Sequence, residues 1–155
     1  MKSIIGMTAF TAVLGAWASN QECIAQTWMQ TSAPVTNLEW VSIGASADAG
    51  QLAAAARTSS YPYGGPIVIS TDSGKSWISN AVAAAWSAIA CSADGMKLIA
   101  LDSSIRVFTS TNSGASWSYS AVPAPFSCLA SSADGTKLAL GAWNGSIYLS
   151  TNSGS

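Results

Sequence analysis

The 155-residue sequence contains no histidine. That absence removes the usual general base at neutral pH and the commonest metal ligand. Charge is also scarce. Asp, Glu, Lys and Arg together make up 8% of the chain, against about 25% in an average soluble domain. Only six residues are basic and they are scattered, with a net charge of -1. A nucleic-acid partner needs a cationic face that displaces counterions, so no nucleic acid is expected. Cysteine is limited to Cys23, Cys91 and Cys128. Their spacing fits no metal site, and neither metal nor cofactor is expected. Cys23 follows Asn20, Gln21 and Glu22 rather than the small and aliphatic residues of a lipoprotein signal. Cys91 and Cys128 read as small buried hydrophobes, with a bridge between them as the alternative. Helical periodicity is missing after the first twenty residues. Residues of the hydrophobic class reach 49%, so the chain has ample material for a core and does not resemble a disordered one.

The N-terminus has the form of an export signal. Lys2 is a minimal positive start, Ile4 to Ala16 an apolar stretch, and "AWA" at Ala16–Ala18 a small-x-small cleavage site. The apolar run is short for a bilayer span. Residues 1–18 are therefore expected to be removed. The mature chain is expected to be secreted, periplasmic or on the cell surface, with no membrane span.

Two motifs recur through the rest. "STDSGKSW" begins at Ser70, "STNSGASW" at Ser110 and "STNSGS" at Ser150. Their third residues, Asp72, Asn112 and Asn152, are 40 apart (112−72 and 152−112). Between them lie "SADAGQL", "SADGMKL" and "SADGTKL", whose aspartates Asp48, Asp94 and Asp134 are spaced by 46 and 40. The interval from the second motif to the first is 24 in the first repeat (72−48) and 18 in the others (112−94, 152−134). The first repeat thus has six extra residues, placed in "SYPYGGP", Ser60 to Pro66.

Each repeat divides into four short β-like runs. In the second these are Trp86–Ser92, Lys97–Leu101, Ile105–Ser110 and Ser116–Ser120. They are separated by an Asp-Gly hairpin turn, "DSS" and "TNSG". Four strands in about 40 residues is the period of a propeller blade. The all-β alternative, a parallel β-helix, has shorter coils and lacks tight hairpins.

The chemistry of the S-T-[D/N]-S-G-x-S-W box points to folding. Its Asp or Asn can accept hydrogen bonds from amides of its own turn. Gly74, Gly114 and Gly154 permit a positive φ. Ser70, Ser110 and Ser150 can bond locally, and Trp77 and Trp117 supply rings for packing. Asp72 is replaced by Asn112 and Asn152, which keep an acceptor oxygen and lose the charge that a general acid or a metal ligand needs.

This box resembles the Asp-box, or BNR repeat, of sialidases. The same repeat occurs in sortilin-type receptors, some bacterial glucanases, photosystem II assembly factors and uncharacterised secreted bacterial proteins. The resemblance covers roughly residues 28–155. It implies an all-β propeller of four-stranded antiparallel blades, with the box at the turn between third and fourth strands, away from any active site. "TW" at Thr27-Trp28 resembles the end of a box, so a fourth strand is expected there. One strand, then four, four and three make twelve, or three blades, with repeats near 28–77, 78–117 and 118–155. Rings close with about 4–8 blades. The reading is a partial ring: a fragment of a longer propeller, or a chain that self-associates, two copies making six blades.

The resemblance to sialidases implies an arginine triad, a tyrosine with a glutamate, and an aspartic acid. The sequence has two arginines, Arg57 and Arg106, and its glutamates are Glu22 and Glu39. A general glycosidase needs two carboxylates across the bond. With the turn aspartates occupied, Glu39 and Asp102 remain, and they are expected toward opposite ends of their blades. Serines are plentiful but have no histidine to activate them. No catalytic residue is assigned. The expected function is a non-catalytic scaffold or binding propeller for carbohydrate or protein. Its candidate binding residues are Tyr61 and Tyr63 of the inserted loop and Trp143 near a hairpin tip. The alternative is a piece of a sialidase-like or glucanase-like hydrolase whose catalytic residues lie elsewhere.

Overall fold

The structure, a computed structural model, describes residues 28–34, 36–61 and 63–154. The signal segment 1–18, Cys23, Thr27 and Pro62 lie outside the described residues. The rest is all-β. Eleven strands run in order: β1 (Leu38–Ala45), β2 (Leu52–Thr58), β3 (Gly65–Ser70), β4 (Ile78–Ala84), β5 (Trp86–Cys91), β6 (Leu98–Asp102), β7 (Arg106–Ser110), β8 (Ser118–Ala121), β9 (Phe126–Ser131), β10 (Leu138–Ala142) and β11 (Ile147–Ser150). No helix among the described residues is long and apolar enough to cross a membrane.

The strands form three antiparallel meanders, β1-β2-β3-β4, β5-β6-β7-β8 and β9-β10-β11. Each is one blade. β1, β5 and β9 are neighbours from blade to blade, which makes them the inner strands of the ring. The strand boundaries expected in the second repeat hold to within about two residues. The twelfth strand does not. Residues 28–34 carry no strand and Trp28 is almost fully exposed, with no strand edge among the described residues paired to it. The sheets also divide the chain at 38–84, 86–121 and 126–150, so each box tryptophan leads into the last strand of its own blade.

Blades pack face to face, so a middle strand is covered on both sides. This explains why β6, in the middle blade, is buried at every residue. In β2 the buried run Ala53–Ala56 has Ala53 and Ala55 against the second blade and Ala54 in a groove with Trp40 and Trp77 on the other face. Small alanines let the neighbouring backbones approach. Two core clusters lie between the blades. Ile67 and Ile69 of the first blade pack with Trp86, Ile89 and Phe108 of the second. Leu101 and Val107 of the second pack with Phe126, Leu138 and Leu140 of the third. Burial of each large side chain contributes roughly 1.5–3 kcal/mol. A buried hydrogen bond also crosses the first interface, from Trp86 Nε1 to the Gly65 carbonyl (2.7 Å).

The insertion is shorter than its sequence suggested. Gly65 and Pro66 belong to β3, and the loop is confined to residues 59–64. A register shift between Gly65 and Ile67 leaves Pro66 at a bulge, where its missing N–H costs no ladder bond.

Candidate functional site

Alternating strand direction sorts the connections onto two rims. The β1–β2 and β3–β4 turns lie on one rim. The β2–β3 loops and the passages between blades lie on the other.

The first rim carries both repeated motifs. In the first box, Ser70 Oγ donates to Asp72 Oδ1 (2.8 Å) and accepts from the Gly74 amide (2.8 Å). Asp72 accepts from the Ser76 amide (2.9 Å) and hydroxyl (2.6 Å). Trp77 Nε1 closes the turn on the Gly74 carbonyl (3.2 Å). The second box repeats this, with Gly114 N to Ser110 Oγ at 2.9 Å, Ser116 N to Asn112 Oδ1 at 2.9 Å, and Trp117 Nε1 to the Gly114 carbonyl at 3.1 Å. One bond reverses. The Ser76 hydroxyl donates to the Asp72 carboxylate, whereas Asn112 Nδ2 donates to Ser116 Oγ (2.8 Å). A serine hydroxyl serves in either sense, so Asp and Asn build the same turn. In the third box Ser150 Oγ donates to Asn152 Oδ1 (2.7 Å) and accepts from the Gly154 amide (2.9 Å).

Each box takes two consecutive left-handed residues. Ser73, Ser113 and Ser153 have φ of 59, 57 and 60°, and the glycines after them 85, 81 and 80°. Only the glycines were foreseen; a serine carries no signal for positive φ. The turn amides of Ser73, Ser113 and Ser153 donate to the carbonyls of Gly50, Met96 and Thr136. Each box is thereby tied to the SADG-type turn of its own blade. Those turns are clamped in the same style, as where Ser92 Oγ donates to Asp94 (2.6 Å) and accepts from the Lys97 amide (2.9 Å). They also link the blades in series, the Ala47 amide donating to the Ala93 carbonyl and the Ala93 amide to that of Ala133.

Hydrogen bonding depresses these carboxyls. The Ser76 hydroxyl, the Ser76 amide and the Ser70 hydroxyl hold Asp72 down at about 2. Serine hydroxyls and turn amides likewise lower Asp48, Asp94 and Asp134. These groups stay ionised and spent within their turns.

The second rim is different in character. Tyr61 and Tyr63 meet edge to face with centroids 6.1 Å apart, and both are exposed. Ile105 on the β6–β7 turn and Trp143 on the β10–β11 turn are also exposed. The three blades thus present apolar or aromatic tips on the same rim. Ile105 went unnoticed in the sequence because it follows "DSS" as the first residue of an expected strand. Glu39 and Asp102 share this rim, which corrects the expectation of opposite ends. The start of an inner strand and the end of the next strand are antiparallel neighbours, as Glu39↔Arg57 and Trp86↔Asp102 show. Glu39 lies within β1 and pairs with Arg57 (3.1 Å). Asp102 is buried, not free. It pairs with Arg106 (2.6 Å) and accepts from the Ser104 and Arg106 amides (3.1 Å each). The Arg106 guanidinium also lies over Phe108 and Tyr119.

Neither Cys91 nor Cys128 is fully buried. Both are free thiols, Cys91 half-buried and Cys128 exposed. Burial, then the nearby Asp94 carboxylate, raises the Cys91 thiol. Among the described residues no group of three His, Cys, Asp or Glu could hold a metal ion. Two apolar grooves are present, one on the outer face of the first blade and one between the second and third blades. One of about 420 Å³ is lined by Trp40, Ile43, Leu52 and Trp77. The other, of about 400 Å³, is lined by Phe126, Leu138, Tyr148 and Leu149.

No protein-family model matches the chain, and no curated protein matches it. Solved structures do share its fold. YCF48 from Cyanidioschyzon merolae is 19% identical with a TM-score of 0.64, the match covering 78% of this chain and 37% of that one. YCF48 bound to D1 peptide is 13% identical with a TM-score of 0.61, covering 81% and 41%. The Niastella koreensis GH74 enzyme is 22% identical with a TM-score of 0.59, covering 80% and 18%. The chain spans less than half the length of each. The likeness is one of fold, and the fold is that of β-propeller blades.

Proposed function

We propose that this chain is an exported, non-catalytic β-propeller module of the Asp-box type that binds an extended peptide on the rim opposite its boxes. The boxes and SADG-type turns serve as structural staples. Their polar groups are consumed in local bonds, and the Asp-to-Asn exchange leaves the turn unchanged. The observation that carries the binding role is the exposed Tyr61–Tyr63 pair on the lengthened loop of the first blade, on the same rim as Ile105 and Trp143. Rigid aromatic side chains give large contact area at low entropic cost, and a propeller of the same fold has been solved bound to a peptide. The similarity to a GH74 enzyme favours the second reading, a piece of a glycoside hydrolase. That reading needs a carboxylate pair supplied elsewhere, since Glu39 and Asp102 are each engaged by an arginine.

A displayed peptide library and an oligosaccharide panel test the proposal side by side. Peptides are expected to bind, and the Tyr61→Ser/Trp143→Ser variant to lose them at least tenfold with an unchanged melting temperature. Binding confined to oligosaccharides, or peptide binding indifferent to the variant, refutes it.

A further inference from the structure

The outer faces of the two terminal blades repeat the two halves of an interface the molecule already contains. Inner-strand positions align by the repeat: Trp40, Trp86 and Phe126 (86−40 = 46, 126−86 = 40), and likewise Ile43, Ile89 and Leu129. Trp86 and Ile89 are 2% and 5% exposed because the first blade covers them, whereas Trp40 and Ile43 are 40% and 63% exposed. The covering residues are Ile67 and Ile69 of β3, 0% and 6% exposed. Eighty residues on stand Ile147 and Leu149 of β11 (67+80 and 69+80), 76% and 78% exposed. One end of the described blades therefore shows the knobs and the other the surface that such knobs occupy.

The groups of one polar contact recur at the matching repeat positions. Trp86 Nε1 donates to the Gly65 carbonyl. Trp40 has the matching indole, and Gly145 holds the repeat position of Gly65 (65+80). The series of rim bonds from Ala47 to Ala93 to Ala133 ends with the Ala133 amide at one face and the Ala47 carbonyl at the other. None of Trp40, Ile43, Ile147 and Leu149 is charged, so apposition buries no unpaired ion.

We propose that these faces bind each other in a second copy of this chain, head to tail. Ile147 and Leu149 of each copy seat Trp40 and Ile43 of the other, continuing the blade-to-blade interface across the molecular boundary. Two copies of the three described blades make six, within the roughly 4–8 that propellers use. A heterologous contact that closes in this way stops at a defined size.

Native mass spectrometry and sedimentation velocity of the full chain at micromolar concentration test this. Twice the chain mass is expected. Ile43→Asp and Leu149→Asp, each on an exposed side chain, should separately give monomers with unaltered circular dichroism. Mixing those two variants should restore association, because one interface of the mixed pair is then intact. A contact made by one face on its own copy would gain nothing from mixing. If either variant misfolds, Ile43→Cys and Leu149→Cys in one chain with the native cysteines changed to serine should cross-link between copies under mild oxidation. A wild-type monomer, a dimer unaffected by both aspartates, or open-ended oligomers would each overturn the proposal. A monomer would assign the two faces to further blades or to another protein.

Discussion

Gly114 and Gly145 both sit in tight turns, at φ of +81 and +85°. An alanine at either pays the same left-handed cost, about 1–2 kcal/mol. Their surroundings differ. A Cβ at Gly145 meets nothing within 4 Å. A Cβ at Gly114 would overlap Ile69 Cδ1 and come within 3.1 Å of Leu98 Cδ1 and 3.2 Å of Asn80 Nδ2. Ile69 is buried in the interface core, so its tip cannot swing aside freely. Asn80 is held by its own bond to the Gly114 carbonyl. Overpacking of this kind costs about 1–3 kcal/mol. Gly114→Ala should therefore destabilise by about 2–5 kcal/mol and Gly145→Ala by about 1–2 kcal/mol. Urea unfolding followed by tryptophan fluorescence measures both. In thermal melts the gap of about 1–3 kcal/mol amounts to roughly 2–12 °C, at about 2–4 °C per kcal/mol. Ile69→Val removes the obstructing methyl at a cost of about 0.5–1.5 kcal/mol, and Gly114→Ala should cost less in that background. Equal losses for the two glycine variants, with no relief from Ile69→Val, would refute the idea that Gly114 is required by the first blade's packing as well as by its own φ.

The remaining predictions concern the box and the interface. The Asp72 carboxyl is held below its ordinary value of 3.8, at about 2. Its bonds therefore contribute stability that is fully present above the unfolded value and is lost as pH falls through the folded one. Asp72→Asn should melt near wild type at neutral pH and lose less stability than wild type between about pH 4 and 2. Asp72→Ala should be clearly less stable than either, and an Asn variant as damaged as the Ala variant would sink the staple reading. Trp86→Phe leaves the buried Gly65 carbonyl without its donor and should cost about 1–3 kcal/mol. Trp86→Ala should cost about 3–5 kcal/mol. Phe126 fills the same repeat position in the third blade and is just as buried, so a phenyl ring suits the site. Equal losses by chemical denaturation would show that the indole N–H, not the ring volume, holds the interface.

Short-range features were legible in the chain itself. The 40-residue period, the four strand segments per repeat and the box turns rest on local rules: side-chain alternation, Asp and Asn bonding their own turns, and glycine's freedom at positive φ. The aromatic loop was legible as well, because six extra residues in one repeat must fall in a connection. Other features depend on what lies across space. Trp40 and Trp86 occupy the same repeat position, yet one is exposed and the other buried, because among the described residues only the second is covered by another blade. Asp102 looked available until Arg106 and the amides of its turn engaged it. The shared rim of Glu39, Tyr61, Ile105 and Trp143 follows from antiparallel pairing, which no local window contains. Trp28 carried the mark of a strand but pairs with no strand among the described residues. The sequence by itself determined the blade and its staples, since those are built from bonds within a few residues. Only the tertiary structure decided which faces are covered, since burial depends on the neighbour and every repeat offers the same two sides.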